Sequence, residues 1–195
     1  MVLNTDYNQK TDEELVALTL EDQRVFAYLI ERYQSRLGRY IARLANLSHD
    51  DIEDILQEVF IKTYGNLNAF NPKLKFSSWI YRIAHNQVIS NFRKLKSRPQ
   101  TIAFESDPDF LENICSDFNL EKEIDLITDK QLITDILNSL DYKYKEILEL
   151  KFLEEKDYRE ISDILKKPLG TIATLINRAK KQFKKELIKQ NIKLK

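Results

Sequence analysis

The chain has 195 residues, 43% of them hydrophobic and 32% charged, with only three glycines and four prolines. This ordinary composition can bury a core in one large domain or two small ones, and the shortage of turn-forming residues favours long helices over a turn-rich β fold. The formal net charge of zero, taken alone, argues against a nucleic-acid partner.

The charges are nevertheless strongly segregated along the chain. Residues 66–98 contain seven Lys or Arg and no Asp or Glu, and residues 151–195 contain thirteen bases against six acids, so each stretch has a net charge of +7. Residues 104–125 contain eight acids and one lysine. The sequence therefore predicts two basic surfaces separated by an acidic connector.

Common catalytic and metal-binding motifs are absent from the sequence. It has no GxGxxG, P-loop, CxxC or HExxH pattern, and His49 and His85 lie far apart without a neighbouring Cys or paired carboxylates. We therefore predict no metal site, no cofactor and no catalytic residue. The single cysteine, Cys115, is typical of a reducing compartment. Because no leader and no membrane-spanning apolar run is evident, we expect a cytoplasmic protein without membrane insertion.

Residues 11–47 show the apolar spacing of amphipathic helices. Thr11 and Glu14 form a capping-box pattern at the start. The predicted core positions recur every three or four residues and are Leu15, Leu18, Phe26, Leu29, Ile30, Tyr33, Leu37, Tyr40, Ile41 and Leu44. The charged positions between them are interpreted as a solvated face, made of Glu31, Arg32, Arg36, Arg39 and Arg43.

The next predicted helix begins at Ser48 and ends at Gly65. Acids crowd its first turn, where the helix dipole favours negative charge. Its apolar stripe comprises Ile52, Ile55, Leu56, Val59, Phe60 and Tyr64. The opposite face carries Glu53, Asp54, Gln57 and Glu58. Those four residues fit an ordinary exposed helix surface or a docking surface for a basic partner helix, and the pattern leaves both interpretations open.

A basic and aromatic segment follows, with a loop over residues 66–75 and a helix that we expect Ser77 to cap. The predicted apolar face of this helix is Ile80, Ile83, Ala84, Val88, Phe92 and Leu95. The positions predicted to point elsewhere are Tyr81, Arg82, His85, Asn86, Arg93, Lys94 and Lys96. Aromatic rings among cations are typical of single-stranded nucleic-acid binding, and a side-chain amide such as that of Asn86 can both donate to and accept from a base edge. The rings of Phe70, Phe76 and Trp79 fit a core equally well.

Residues 99–125 lose the helical period, and we interpret them as an acidic linker with at most a short helix near residues 110–114. The period returns near residue 125. A short helix is predicted over residues 157–165, and its inward positions are Tyr158, Ile161, Ile164 and Leu165. A tight connection at Lys166 and Lys167 leads to Pro168 in the first turn of the next helix, which together predict a helix-turn-helix.

The second helix of that motif has an apolar side and a polar, basic side. The apolar side is Ile172, Ile176, Ala179, Phe183 and Leu187. The outward side is Thr174, Asn177, Arg178, Lys181, Lys184 and Lys185. A polar start followed by a basic end suits a helix that enters a major groove and grips phosphates beyond it. The alternative is a lysine-rich terminal helix that charge keeps soluble.

Three motifs in these segments resemble those of bacterial RNA polymerase sigma factors. The sequence DIEDILQEVFIKTY is similar to the family's acidic helix, and FSSWIYRIAHN is similar to its promoter-melting segment. The sequence YREISDIL followed by PLGTI is similar to the family's C-terminal helix-turn-helix. With two domains and only a short linker between them, the chain resembles the extracytoplasmic-function group.

The resemblance implies an all-α protein of two small helical domains joined by an acidic linker, with the helix-turn-helix in the second domain. It implies domain boundaries at residues 1–98, 99–125 and 126–195. The implied partners are core RNA polymerase, promoter DNA and an anti-sigma factor. The implied activity is promoter recognition and DNA opening at transcription initiation, without enzymatic chemistry or a cofactor.

The resemblance also implies roles for individual residues. The positions matching the polymerase-binding helix are Asp51, Asp54, Gln57 and Glu58. The positions matching the minus-ten segment are Phe70, Lys73, Trp79, Tyr81, Arg82, Asn86, Arg93 and Lys94. The positions matching the minus-thirty-five helix are Thr171, Thr174, Asn177, Arg178 and Lys181. Ala173 and Leu175 depart from the cationic residues common in the family, so reading of the upstream element is expected to be weaker or to rely on Asn177, Arg178 and the lysines.

Three other interpretations compete with this one. A helix-turn-helix regulator that never contacts polymerase leaves the first domain unexplained. A helical nucleic-acid-processing enzyme requires a clustered catalytic constellation, which the scattered histidines and carboxylates do not supply. A scaffold that sequesters partners without promoter activity also fits the surfaces.

Overall fold

In the computed structural model of the protein, the described residues 7–45, 47–95 and 130–193 form helices and connecting turns, without any strand. Most residues up to 102 form one compact unit, and most of those after 102 form a second. The predicted all-α class with two helical domains is confirmed. The predicted linker over residues 99–125, with its short helix near residues 110–114, lies outside the described residues, as does the side chain of Lys94.

Four α-helices make up the described part of the N-terminal unit. They are α1 (Asp12–Glu21), α2 (Phe26–Leu44), α3 (His49–Gly65) and α4 (Phe76–Leu95). Short 3-10 helices lie at Tyr7–Gln9, Gln23–Val25 and Leu67–Ala69. The Gln23–Val25 turn interrupts the long periodic stretch, so the helical pattern of residues 11–47 belongs to two helices.

The ends of α1 and α3 follow the sequence pattern closely. The Glu14 amide donates to Thr11 Oγ1 at 3.2 Å, and the Thr11 amide donates to Glu14 Oε2 at 2.7 Å, which completes the predicted capping box. These bonds lower the pKa of Glu14 below its ordinary value. Ser48 caps α3, as predicted. The helix ends at Gly65 without a left-handed residue, because the side-chain amide of Asn66 donates to the Lys62 carbonyl at 2.8 Å.

Most of the predicted apolar positions form the core of the N-terminal unit. The exceptions include Ile52, Leu56, Ile83 and Phe92, which are half-buried. Leu18 and Ile30 are only half-buried, and Tyr64 remains 43% exposed, although its ring packs 5.2 Å from that of Phe26. Arg32 does not belong to a solvated face. Its guanidinium pairs with Asp12 at 2.9 Å and donates to the carbonyl of Asn8 at 2.9 Å, which anchors the start of α1 on α2.

The described part of the C-terminal unit contains four α-helices and one π-helical segment. They are α5 (Lys130–Ser139), α6 (Tyr142–Leu148), the π-helix Glu149–Leu153, α7 (Tyr158–Leu165) and α8 (Leu169–Lys193). The predicted inward side of α8 is buried at all five of its positions, Ile172, Ile176, Ala179, Phe183 and Leu187. The prediction that Tyr158 points inward is wrong, because its side chain is 38% exposed while Ile161 and Ile164 on the same helix are buried.

The predicted helix-turn-helix is present between α7 and α8. Asp157 and Glu160 form a capping box at the start of α7. The turn is closed by Lys166 in the left-handed conformation, with φ 54° and ψ 42°, and by the Ser162 hydroxyl, which donates to the Lys167 carbonyl at 2.6 Å. The Pro168 carbonyl accepts the amides of Thr171 and Ile172 at 2.8 and 3.0 Å, so the proline directly precedes the first turn of α8.

The left-handed turn residue gives a stability prediction. Replacing Lys166 with glycine is expected to raise the free energy of unfolding of the C-terminal unit by about 1 kcal/mol, because the lysine Cβ is strained at positive φ. The K166A variant keeps the Cβ and should leave stability nearly unchanged. Urea unfolding followed by circular dichroism measures both, and an unchanged K166G midpoint would contradict a left-handed turn.

No helix within the described part of the chain is long and apolar enough to cross a membrane.

Candidate protein and nucleic-acid interfaces

The acidic face of α3 lies on the surface, where the sequence predicted it. Asp54, Gln57 and Glu58 are exposed, whereas Asp51 is half-buried. Asp51 also belongs to the helix cap, because its amide donates to Ser48 Oγ at 3.2 Å and its carboxylate accepts the Ser48 hydroxyl at 2.5 Å. Only three of the four predicted polymerase-binding side chains are therefore freely presented at this face.

A surface groove of about 470 Å³ runs beside that face, between α3 and α4. Its lining residues are Asp54, Ile55, Gln57, Glu58, Ile61, Lys62, Gln87 and Asn91. The Lys62 ammonium donates to the Gln87 side-chain carbonyl and thereby bridges the two helices. Ile61 is 65% exposed, an apolar side chain among polar ones.

Ile61 was not among the predicted polymerase-binding residues, although its spacing along α3 matches theirs. Asp54, Gln57, Glu58 and Ile61 occupy positions i, i+3, i+4 and i+7, which share one side of a helix. Ile61 therefore lies on the same side of α3 as the three exposed polar residues, and the face combines charged groups with one apolar side chain. Gln87 and Asn91 carry no such sequence signal, because only the packing of α4 on α3 brings them to the groove.

The aromatic segment packs into the core of the N-terminal unit. Phe70, Phe76 and Trp79 form a cluster, which we call the ring cluster, with centroid separations of 5.3–5.8 Å. Phe76 is fully buried, and Phe70 and Trp79 are less than a tenth exposed. Of the two interpretations left open by the sequence, burial in a core describes the arrangement of these rings in the described structure.

Tyr81 is a correction to the predicted orientation of α4. It was expected to point away from the apolar face, yet it is fully buried, and its ring centroid lies 5.1 Å from that of Tyr40 on α2. Because α2 packs on α4 beside its apolar stripe, the buried face of α4 is wider than its aliphatic residues indicate.

One side of α4 presents polar and cationic groups to solvent. Asn86 and Arg93 are exposed and Arg82 is half-buried. These three residues lie at positions i, i+4 and i+11, within about 40° of each other around the helix axis. Lys73 is exposed in the loop before α4, where its amide donates to the Asn71 side chain at 3.0 Å. Together they offer phosphate-binding cations around one amide able to read a base edge.

The outward side of α8 is exposed at every predicted DNA-binding position. These positions are Thr171, Thr174, Asn177, Arg178 and Lys181. The Thr174 hydroxyl donates to the Gly170 carbonyl at 2.8 Å, which leaves its oxygen as an acceptor. Ala173 and Leu175 are half-buried and therefore present little side chain to a groove. Lys185 extends the exposed side one turn further.

Residues 7–45, 47–95 and 130–193 contain no group of three or more His, Cys, Asp or Glu side chains that could hold a metal ion.

Two family models match the chain. The model described as Sigma-70 region 2 matches residues 29–98, and the model described as Sigma-70, region 4 matches residues 130–183. The matched ranges contain every site residue predicted from the sequence resemblance, which gives that resemblance independent support.

Curated relatives match nearly the whole chain. The ECF RNA polymerase sigma factor SigW of Bacillus subtilis (strain 168) is 30% identical over 181 residues, which cover 85% of this chain and 90% of the relative. The ECF RNA polymerase sigma-E factor of Escherichia coli (strain K12) is 30% identical over 184 residues, which cover 88% of this chain and 92% of the relative.

Solved structures share the fold. CnrH, solved in complex with the cytosolic domain of CnrY, has a TM-score of 0.66 and 20% identity and covers 91% of this chain and 97% of its own. The sigma factor RpoE of Bartonella quintana, solved with the anti-sigma factor NepR, has a TM-score of 0.63 and 20% identity and covers 83% of this chain and 96% of its own. At this level of identity, the likeness concerns the fold.

Proposed function

The chain belongs to the extracytoplasmic-function group of RNA polymerase sigma factors, which direct core polymerase to promoters, and we propose that its surfaces divide this work between two domains. Residues 1–98 would bind core polymerase and open the minus-ten element. Residues 126–195 would read the minus-thirty-five element. Residues 99–125 would connect the two domains as an acidic linker.

The polymerase-binding surface is proposed to be the acidic face of α3, with Asp54, Gln57 and Glu58 presented to the partner and Asp51 holding the helix start. The observation that carries this assignment is the groove beside that face, with Ile61 exposed in it. Exposed carboxylates attract a basic partner helix, and a central apolar side chain supplies the contact that loses water on docking.

The minus-ten surface is proposed to be the exposed side of α4 with its preceding loop, comprising Lys73, Arg82, Asn86 and Arg93. Lys94 remains a predicted minus-ten residue from the family resemblance alone. Asn86 is assigned to an extruded base, because unstacking a base costs a few kcal/mol that hydrogen bonds to its edge offset. Phe70, Trp79 and Tyr81 are assigned a supporting role in this conformation, since their burial leaves little ring surface on which a base could stack.

The minus-thirty-five surface is proposed to be the outward side of α8. Thr171, Thr174 and Asn177 near its start would face base edges, and Arg178 and Lys181 would contact bases or phosphates. The absence of cationic side chains at Ala173 and Leu175 supports weaker discrimination at this element, because each good base contact contributes about 1–3 kcal/mol.

Lysines beyond the base-reading half of α8 give a testable salt dependence. Lys181 and Lys185 are exposed on the outward side. Replacing either lysine with glutamine is expected to weaken the binding of holoenzyme to DNA equally at all promoter sequences. Log affinity falls as log salt concentration rises, and each replacement should make this negative slope shallower by about 1. The control is the variant K143Q, which removes the charge of an exposed lysine on α6 rather than on the outward side of α8. Unchanged slopes for K181Q and K185Q would exclude phosphate contacts at this end of α8.

A protein with this role is not itself an enzyme, and it acts in the cytoplasm, where polymerase and the chromosome are. CnrH was solved in complex with the cytosolic domain of CnrY, and the Bartonella RpoE with the anti-sigma factor NepR. We propose a protein partner of the anti-sigma class for this chain as well.

The deciding experiment mixes the purified protein with core polymerase and a pool of DNA and measures promoter-specific transcription. Specific initiation is the expected result. Polymerase binding without transcription would favour the sequestering scaffold, whereas sequence-specific DNA binding without polymerase binding would favour an independent helix-turn-helix regulator.

A further inference from the structure

Helix α1 lies outside the ranges that the family models match, since the region 2 match begins at residue 29. Its first turn holds three consecutive acids, Asp12, Glu13 and Glu14. Each carboxylate has a different partner. Glu14 caps α1 itself, Asp12 binds α2, and Glu13 binds α4. An acidic first turn is ordinary for a helix, but only the Glu14 contact lies within the start of α1 itself.

Glu13 caps the helix that carries the proposed minus-ten residues. Its Oε1 accepts the Phe76 amide at 2.9 Å, across 63 residues of sequence, and Phe76 is the first residue of α4. The first amides of a helix have no partner within the helix and form the positive end of its dipole, so a carboxylate there is favourable. This long-range cap also coincides with the start of α4 at Phe76, one residue before the predicted cap Ser77.

Asp12 contacts Tyr33, a residue that packs against the ring cluster. Its carboxylate accepts a hydrogen bond from the Tyr33 hydroxyl, and the Tyr33 ring packs 5.6 Å from the Phe76 ring. Burial and the Asp12 contact raise the pKa of the Tyr33 hydroxyl above its ordinary value, so it remains a donor. Helix α1 therefore contacts the ring cluster through the backbone of Phe76 and through its neighbour Tyr33.

These contacts fix the end of α4 that meets the exposed loop. Phe70 packs on Phe76 and Trp79, which brackets residues 71–75 between two members of one cluster. Lys73 lies in this loop, and Arg82 and Asn86 follow on α4. A change in the start of α4 would therefore displace all three residues together.

We propose that Glu13 is a positioning residue for promoter opening, whose carboxylate sets the start of α4 and thereby the placement of the loop and of Asn86. The inference rests on the proposed minus-ten role of α4. The competing explanation is that Glu13 contributes only to the stability of the N-terminal unit. The two differ in what is lost, because a purely stabilising contact affects polymerase binding and DNA opening together.

The test compares three variants of the full chain with wild type. E13A removes the acceptor, and E13Q keeps an acceptor oxygen while removing the charge. D22A is the matched control, because Asp22 is another acid of the same unit that caps a short helix through the Arg24 amide at 3.0 Å. Each variant is assembled with core polymerase. Association is measured by binding titration, thermal stability by circular dichroism, and opening by 2-aminopurine fluorescence on duplex promoter and on a pre-opened bubble.

E13A is expected to lower opening of duplex promoter about tenfold, as for loss of a charge-assisted hydrogen bond, with polymerase association unchanged. E13Q should lose less opening activity than E13A, and D22A should open duplex promoter as well as wild type. On the pre-opened bubble, the difference between E13A and wild type should be smaller than on duplex promoter. Equal losses in association and opening, or an opening defect in D22A that matches E13A at equal stability, would overturn the inference. If E13A does not fold, E13Q opening DNA no worse than D22A overturns it as well. A wild-type chain that opens no promoter would instead refute the proposed function.

Discussion

Replacing Ile61 with aspartate is expected to weaken association with core polymerase at least tenfold while leaving the fold intact. Ile61 is 65% exposed in the α3–α4 groove, so the change costs little in the free protein. In the complex the same position would bury a charge without a partner. The few central residues that dominate an interface cost about 2 kcal/mol or more when they are truncated, and about 1.4 kcal/mol is a factor of ten in affinity.

The matched control is Leu20→Asp, which introduces the same charge at another exposed apolar residue of the same unit. Leu20 is 52% exposed at the end of α1 and does not line the groove. Binding titrations of both variants with core polymerase decide the matter. Equal affinities for I61D and wild type would remove the groove from the polymerase interface. The double change D54A/Q57A is expected to weaken association in the same assay through the flanking polar contacts.

Replacing Asn86 with alanine is expected to reduce formation of open promoter complexes by about ten- to a hundredfold, which corresponds to about 1–3 kcal/mol for one bidentate base contact. Its exposed position makes a loss of folding stability small. Polymerase association should be unchanged, because Asn86 does not line the α3–α4 groove. Permanganate reactivity of unpaired thymines measures the open complexes.

Gln34→Ala serves as the control for removal of an exposed side-chain amide in the same unit. If N86A and Q34A open promoters equally well, Asn86 does not contact an extruded base. If N86A loses polymerase association together with opening, the proposed division between α3 and α4 is wrong. If D54A/Q57A and N86A both lost DNA binding alone, the assignment of α3 to polymerase would fail too.

Local patterns predicted the features of this protein that are themselves local. The capping box at Thr11, the cap at Ser48 and the buried stripe of α8 each depend on residues within one or a few turns of helix. The same holds for the acidic face of α3, whose exposure follows from the apolar stripe on its other side. Periodicity determines which side of a helix is buried whenever one side is clearly more apolar.

Features that depend on packing between distant segments escaped the sequence. The fully buried position of Tyr81 requires Tyr40 from another helix, and a tyrosine beside polar residues gives no sign of it. The cap on α4 comes from Glu13, 63 residues earlier, whereas local rules pointed to Ser77. Arg32 was predicted to be a surface cation, because its ion-pair partner Asp12 comes from another helix. In each case the deciding partner lies on a different helix.

The π-helical segment Glu149–Leu153 shifts the angular phase of the helix that contains it. Each π turn holds about one residue more than an α turn, so side chains after it lie about 100° from where an uninterrupted α-helix would place them. The stretch is thus equivalent to an α-helix with one inserted residue. Ile147, Leu148, Leu150 and Phe152 are all buried, so the surrounding structure encloses this stretch on more than one side and the change of phase does not bring these side chains to the surface.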